Sequence, residues 1–308
     1  EGDFHEALNV AAVWDLPVIF LIENNGFGLS TPTNEQYRCI SLVDRAKGYG
    51  MDGVQIDGNN LLQVYDTIKG IREYCVKHQK PYLVEAMTFR MRGHEEASGT
   101  KYVPQELFEL WEKKDPVKNY EQYLSAQQVL SADDIDNIKN ELKEKIEQEL
   151  AIGMNAAPIV ADTEEELNDV YAGREVKSQK SEVRIVDNSK DPLDSRLLTH
   201  DLRLIDAIKQ GLHQSMEAHE NLILMGQDIA EYGGAFKITD GFAAEFGKAR
   251  VRNTPICESA IVGAALGLSL EGYKSMMEMQ FADFVTVGFN QVINNLAKIH
   301  YRWGQNAD

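Results

Sequence analysis

Cysteine is nearly missing from this chain: only Cys39, Cys75 and Cys257 occur among 308 residues. They lie far apart, form no CxxC and join no Cys/His cluster. That argues against a disulfide framework and a structural zinc site, and fits a reducing compartment, read here as the cytoplasm. Basic residues are also short, with 31 Lys and Arg against 49 Asp and Glu and a formal net charge of −18. A polyanion of that sign is a poor partner for nucleic acid or an acidic membrane surface. No apolar run reaches the length of about 18 residues needed to span a bilayer. No signal-peptide pattern and no short internal repeat is visible.

What the chain does have is apolar residues, 43% of the total, enough for more than one packed core. An amphipathic stretch with Phe4, Ala7, Leu8, Ala11 and Ala12 precedes the apolar run PVIFLI (17–22). A second run, GVQIDG (53–58), leads into a helical pattern from Asn60 to His78, and a third, YLVEAMTFR (82–90), follows. Continuously apolar strands separated by helices predict βαβ units and a parallel sheet covered on both faces. From Pro104 to Leu150 the pattern is helical. Ser131 and Asp134 have capping-box spacing there, and Ile135, Ile138, Leu142 and Ile146 share one face. Residues 172–200 lose periodicity and read as a polar linker. A second α/β region then begins: a helix at 202–216, strands at 222–229, 251–256 and 274–281, a small-residue helix ESAIVGAALGLSL, and a last helix carrying Phe289, Val292, Ile293, Leu296 and Ile299.

Four places could carry chemistry. In parallel α/β sheets ligands bind at the carboxyl ends of strands. The segment ENNGFG sits at such an end. Asn25 offers a side-chain carbonyl to a hard cation, and the glycines let the Phe27 carbonyl turn inward; the alternative is a plain Asn-Gly turn. Arg90, Arg92 and His94 cluster where another strand ends. They suit a diphosphate, or they are surface arginines answering the acidic excess. Glu258 stands between an apolar strand and an apolar helix. It is either a proton-transfer carboxylate or a first-turn capping residue. Gln280 and Phe284 follow a further strand end. The ring either stacks on a flat heterocycle or belongs to the core.

The order of these segments is more specific than any one of them. EGDFHEALNVAAVWDLPVIFLIENNGFGLSTPT, YLVEAMTFRMRGH, LILMGQDIAEYGGAFKITDGF, TPICESAIVGAALG and MEMQFADF together resemble the thiamine diphosphate-dependent first component of 2-oxo acid dehydrogenase complexes. The likeness covers nearly all of the chain except the linker, in the fused form that carries α-like and β-like parts on one chain. It implies an α/β fold with two thiamine diphosphate-binding domains, both incomplete, whose parallel sheets are flanked by helices. Residues 1–171 correspond to the C-terminal part of the diphosphate-binding α-like domain, 172–200 to the linker, and 201–308 to the N-terminal part of the pyrimidine-binding β-like domain.

The resemblance also implies roles. Asn24, Asn25 and Gly26 match the paired-asparagine end of the family's diphosphate motif. Asn25 and the Phe27 carbonyl match Mg²⁺ ligands, and the acidic ligand is expected before Glu1. Arg90 and His94 match diphosphate contacts, with His94 also catalytic. Glu258 matches the catalytic glutamate that hydrogen-bonds the aminopyrimidine ring, Phe284 the aromatic packed on that ring, and Ile256 a residue whose backbone meets it. Gln280 belongs to the same cofactor-binding set. At Gln227 many relatives carry glutamate. The implied reaction is oxidative decarboxylation of a 2-oxo acid, with the acyl group passed to a lipoyl-bearing dihydrolipoyl acyltransferase. STPTNEQYR and the CESAIVG and QFAD segments look nearer to branched-chain enzymes than to pyruvate dehydrogenases. Pyruvate or acetoin dehydrogenation is the enzymatic alternative, and an inert assembly module the non-enzymatic one. The family's shared sites imply a homodimer of fused chains. The start at Glu1 rather than Met, inside a helical pattern, leads us to expect a fragment of a longer protein.

Overall fold

The computed structural model describes residues 2–95, 99–170 and 203–307. The expected linker at 172–200 lies outside the described residues. The rest falls into two compact units, one within 11–159 and the other made of the chain up to Val10 with the described residues after Ile159.

The first unit holds a parallel three-stranded sheet of β1 (Ile19–Asn24), β4 (Asp52–Asp57) and β5 (Tyr82–Met87), in the order β1-β5-β4. Between β1 and β4 a two-stranded antiparallel hairpin pairs β2 (Phe27–Gly28) with β3 (Thr31–Pro32). Helix α2 (Leu61–His78) is the crossover between β4 and β5. It starts where the Asn60 side chain accepts the Gln63 N–H, as an N-cap should. The central strand is the most apolar and the most buried: Leu83 and Val84 are fully inaccessible. Side chains of that size each contribute about 1.5–3 kcal/mol on burial. Ile56, Ile71, Cys75, Val84 and Ala86 form the core between sheet and helix. The edge strand β1 is only partly covered, with Leu21 half-exposed.

The helical stretch expected over 104–150 is three helices, α3 (Gln105–Glu112), α4 (Pro116–Ala126) and α5 (Ala132–Asn155). The first break is local chemistry. Asp115 caps α4 through the Val117 and Lys118 N–H groups, and Pro116 takes the first helical position, where its missing N–H costs nothing. Gln128, at φ 56°, ends α4, and Ser131 and Asp134 close the anticipated capping box that opens α5. The shared face of Ile138, Leu142 and Ile146 is exposed rather than packed. Periodicity identified the helix but not what covers it.

In the second unit α7 (Leu204–Ala218) precedes β6 (Leu222–Gly226), α8 (Phe242–Phe246), β7 (Val251–Asn253), α9 (Glu258–Leu270) and β8 (Lys274–Glu278). The sheet is again parallel, in the order β7-β6-β8. Its core joins Leu212, Met216, Leu222, Leu224, Ile229, Phe242 and Val251. All three strands are shorter than their apolar runs suggest. β6 turns away at Asp228, in the left-handed region at φ 58°, so the residues after Glu278 have no strand to pair with. β7 stops before Pro255, which has no N–H to give. The last expected helix is a π-helical segment (Gln291–Leu296) and a short α10 (Ile299–Arg302), with Phe289, Ile293 and Leu296 exposed.

Replacing the cap tests the α5 assignment. Ser131→Ala is expected to lower the stability of that helix by about 1 kcal/mol, read as faster amide exchange in its first turn with α2 unchanged.

Candidate functional site

In the first unit the chemistry gathers where β1 and β5 end. Asn24, the last residue of β1, is buried. Its Nδ2 donates to Glu85 Oε1 at 2.7 Å and to the Tyr37 hydroxyl at 3.1 Å, and its Oδ1 accepts the Gly26 N–H at 3.0 Å. Gly26 sits at φ +81°, a conformation in which a side chain would be strained. Asn25 Oδ1 accepts the Phe27 N–H at 3.0 Å. That is an Asx turn, so the turn reading holds, yet a carbonyl oxygen keeps a second lone pair for a cation.

From the end of β5 comes Arg90. Its guanidinium donates to the Leu29 carbonyl at 3.1 Å and lies 3.2 Å from His94 Nδ1. An arginine can only donate, so Nδ1 accepts and the imidazole N–H is on Nε2. Asn25, Phe27, Arg90 and Arg92 line one cleft with Tyr102, whose ring meets Phe27 edge-on at 6.0 Å. The Asn25 amide and two guanidinium groups in this cleft, with His94 beside Arg90, make a set that fits a diphosphate with a hard divalent cation.

Holding this end of the sheet together is Glu85, a residue that sequence reasoning missed. It is fully buried in β5. Ser41 donates to Oε2 through a short hydroxyl contact, the Val43 N–H donates at 3.1 Å and Gln55 Nε2 at 3.2 Å, while Asn24 takes Oε1. Burial alone pushes the carboxyl up. The bonds from Ser41, Asn24 and the Val43 and Leu42 N–H groups outweigh it and hold Glu85 below its ordinary value. The signal was present, since a glutamate inside an otherwise apolar central strand is costly unless fully hydrogen-bonded.

The second unit has its own strand-end cluster. Glu258 is buried at the first position of α9, and Gln227, just past β6, donates to its Oε1 at 3.2 Å. Gln280 Nε2 lies 3.5 Å from Asp228 Oδ2. The Phe284 ring meets Phe281 edge-on at 5.3 Å, and Ile256 is 80% exposed. Two acids near the chain start, also missed, serve the α9 N-terminus. Glu6 accepts the Ala260 N–H at 2.9 Å, and Asp3 accepts from Ser259 Oγ at 2.5 Å, Asn290 at 3.0 Å and Gln291 at 2.7 Å. The Ser259 bond is the main reason the Asp3 carboxyl lies below its usual range, against the opposing effect of burial. Burial, then the nearby Glu6 and Glu258 charges, push the Cys257 thiol up to about 12, which disfavours its thiolate form.

Residues 1–159 match the family described as dehydrogenase E1 component, and residues 200–306 match the transketolase pyrimidine-binding domain. The chain belongs to the dehydrogenase E1 component family. It is 38% identical over 176 residues to the alpha subunit of the acetoin:2,6-dichlorophenolindophenol oxidoreductase of Bacillus subtilis, covering 57% of this chain and 52% of that one. It is 41% identical over 132 residues to the 2-oxoisovalerate dehydrogenase alpha subunit of the same organism, covering 42% and 40%. It is 34% identical over 160 residues to a mitochondrial 2-oxoisovalerate dehydrogenase alpha subunit of Arabidopsis thaliana, covering 51% and 33%. The chain thus spans about half or less of the length of these curated relatives. The E1 family is thiamine diphosphate-dependent, and this member is close to the branched-chain type. Two α/β regions with parallel sheets are the architecture expected of it.

Glu85→Gln keeps the shape but turns an amide donor toward other donors. It is expected to cost about 1–3 kcal/mol at neutral pH. Because the folded carboxyl titrates below its ordinary value of 4.5, Glu85 adds stability above that pH and loses it as the pH falls through the folded value. Denaturant unfolding should therefore show the gap between wild type and Glu85→Gln narrowing below pH 4.5.

Proposed function

We propose that the protein carrying this chain oxidatively decarboxylates a branched-chain 2-oxo acid on thiamine diphosphate and Mg²⁺, and passes the acyl group to the lipoyl group of a partner acyltransferase. The observation that carries the reading is the convergence of Asn25, Phe27 and Arg90 on one cleft, with His94 hydrogen-bonded to Arg90. When bound, thiamine diphosphate supplies the electron sink that a decarboxylation needs. The chain's own residues do the rest. Arg90 would neutralise charge on the diphosphate, and the His94 N–H would help orient it. The Asn25 side chain and the Phe27 carbonyl give oxygen ligands to Mg²⁺. Glu258, which accepts from Gln227 on Oε1, would present a proton-exchanging carboxyl to the aminopyrimidine ring. Phe284 would pack on the ring, the Ile256 backbone would meet it, and Gln280 would belong to the same binding set.

On this reading residues 1–171 form the diphosphate-binding part and residues 201–308 the pyrimidine-binding part of a fused chain in the cytoplasm. The chains form a homodimer in which Asn25 and His94 of one face Glu258 of the other. The similarity to the acetoin oxidoreductase subunit supports acetoin as a second substrate reading.

Dye reduction with thiamine diphosphate and Mg²⁺ should be faster with 3-methyl-2-oxobutanoate than with pyruvate or acetoin. A preference for acetoin would favour the second reading, and no turnover on any of the three would refute both. Glu258→Ala should lower turnover at least ~100-fold, the scale of proton-transfer catalysis, with cofactor affinity near wild type. Mixing Asn25→Ala chains with Glu258→Ala chains should restore part of the activity. No restoration would refute the shared site.

A further inference from the structure

Away from both strand-end clusters, α7 and α8 bring one imidazole and two carboxylates together. His213 and Glu217 are one turn apart on α7 (i, i+4), so they project from the same face. Glu245 comes from α8 and lies with both carboxylate oxygens 2.9 Å from His213 Nε2. Glu217 Oε2 is 3.6 Å from His213 Nδ1. One ligand atom from each of the three residues falls within a 4.8 Å circle. The imidazole is held in place by two rings, Phe242 at 5.5 Å and Phe246 at 5.1 Å, both edge-on. Phe242 is itself a fully buried core residue.

From this geometry we propose that His213, Glu217 and Glu245 form a binding site for a divalent transition-metal ion of the zinc class, tying α8 to α7. Three arguments carry it. The donor set is one borderline nitrogen and two carboxylate oxygens, which zinc accepts and which Mg²⁺, with its preference for all-oxygen shells, does not favour. Metal–ligand distances near 2.0–2.2 Å set ligand atoms roughly 3.3 Å apart around a tetrahedral ion. The pair of His213 Nε2 and Glu245 is already close to that spacing, and an ion there would replace their hydrogen bond. Glu217 now stands 3.6 Å from the other ring nitrogen, and its exposed side chain has the freedom to swing toward Nε2 and complete the set. Two carboxylates beside one imidazole also leave a local negative excess that a dication neutralises. Three protein ligands leave the fourth position for water. This class of site needs no thiolate, so the scarcity of cysteine does not bear on it.

The test is a calorimetric and thermal-unfolding titration of the whole protein with Zn²⁺. Thiamine diphosphate and Mg²⁺ are kept saturating, so that the proposed cofactor site is filled. One Zn²⁺ should bind per chain and raise the unfolding temperature. Glu217→Gln, an exposed change that leaves the core alone, should weaken binding by more than the roughly tenfold typical of outer-shell substitutions. His213→Ala should abolish it, provided circular dichroism shows the variant folded. Absence of binding at millimolar Zn²⁺, or equal binding by wild type and Glu217→Gln, would overturn the proposal.

Discussion

A buried carboxylate decides the geometry of the first unit. Glu85 sits in the middle strand of a three-stranded parallel sheet, with Ile22 of β1 and Gln55 of β4 in register on either side. An ionised group there loses its water and must be repaid in hydrogen bonds. The donors come from three separate places: Asn24 at the end of β1, Gln55 in β4, and Ser41 with Val43 at the start of the 3₁₀ segment Leu42–Tyr49. One charge therefore fixes the relative positions of two neighbouring strands and a connecting segment. Asn24, once held, uses its own oxygen to fold the chain back at Gly26. That fold is what turns Asn25 and Phe27 toward Arg90.

The second unit reaches a comparable result by different means. Here the carboxylate begins a helix instead of lying inside a strand. The free N–H groups of the first turn of α9 favour negative charge nearby. Glu6 takes one of them, and Asp3 binds the neighbouring serine and two amide side chains. Glu258, at the first position of the same helix, accepts from Gln227 on Oε1. In both units polar groups follow the carboxyl ends of parallel strands, Asn25 after β1 and Gln227 after β6, the edge at which such sheets bind ligands.

Much of this was legible in the sequence, for definite reasons. Alternation of apolar runs with helical periods gave two parallel sheets, and the capping-box spacing of Ser131 and Asp134 marked a helix start. Asn25, Phe27, Arg90 and His94 were nominated because amides, glycines and cations follow strands abruptly. Strand lengths were overestimated because an apolar run does not report where the partner strand turns away, as β6 does at Asp228. The exposed stripe on α5 shows the same limit: a period identifies a face, not its neighbour. Tyr37, Tyr102, Asp3 and Glu6 escaped notice because their partners are distant in sequence. Glu85 had a signal of its own, a charge in a run of buried apolar residues.

The most direct test of the account is the affinity of the protein for thiamine diphosphate, with Mg²⁺, in wild type and in Glu85→Gln under conditions where both are folded. Glu85 contributes none of the proposed contacts to the cofactor. If it sets the strand end that positions Asn25 and Phe27, the variant should bind roughly 10–100-fold more weakly, the range seen when the support of a ligating group is lost. Unchanged affinity would contradict the account, because the site would then be built without the interaction on which its geometry is here made to depend.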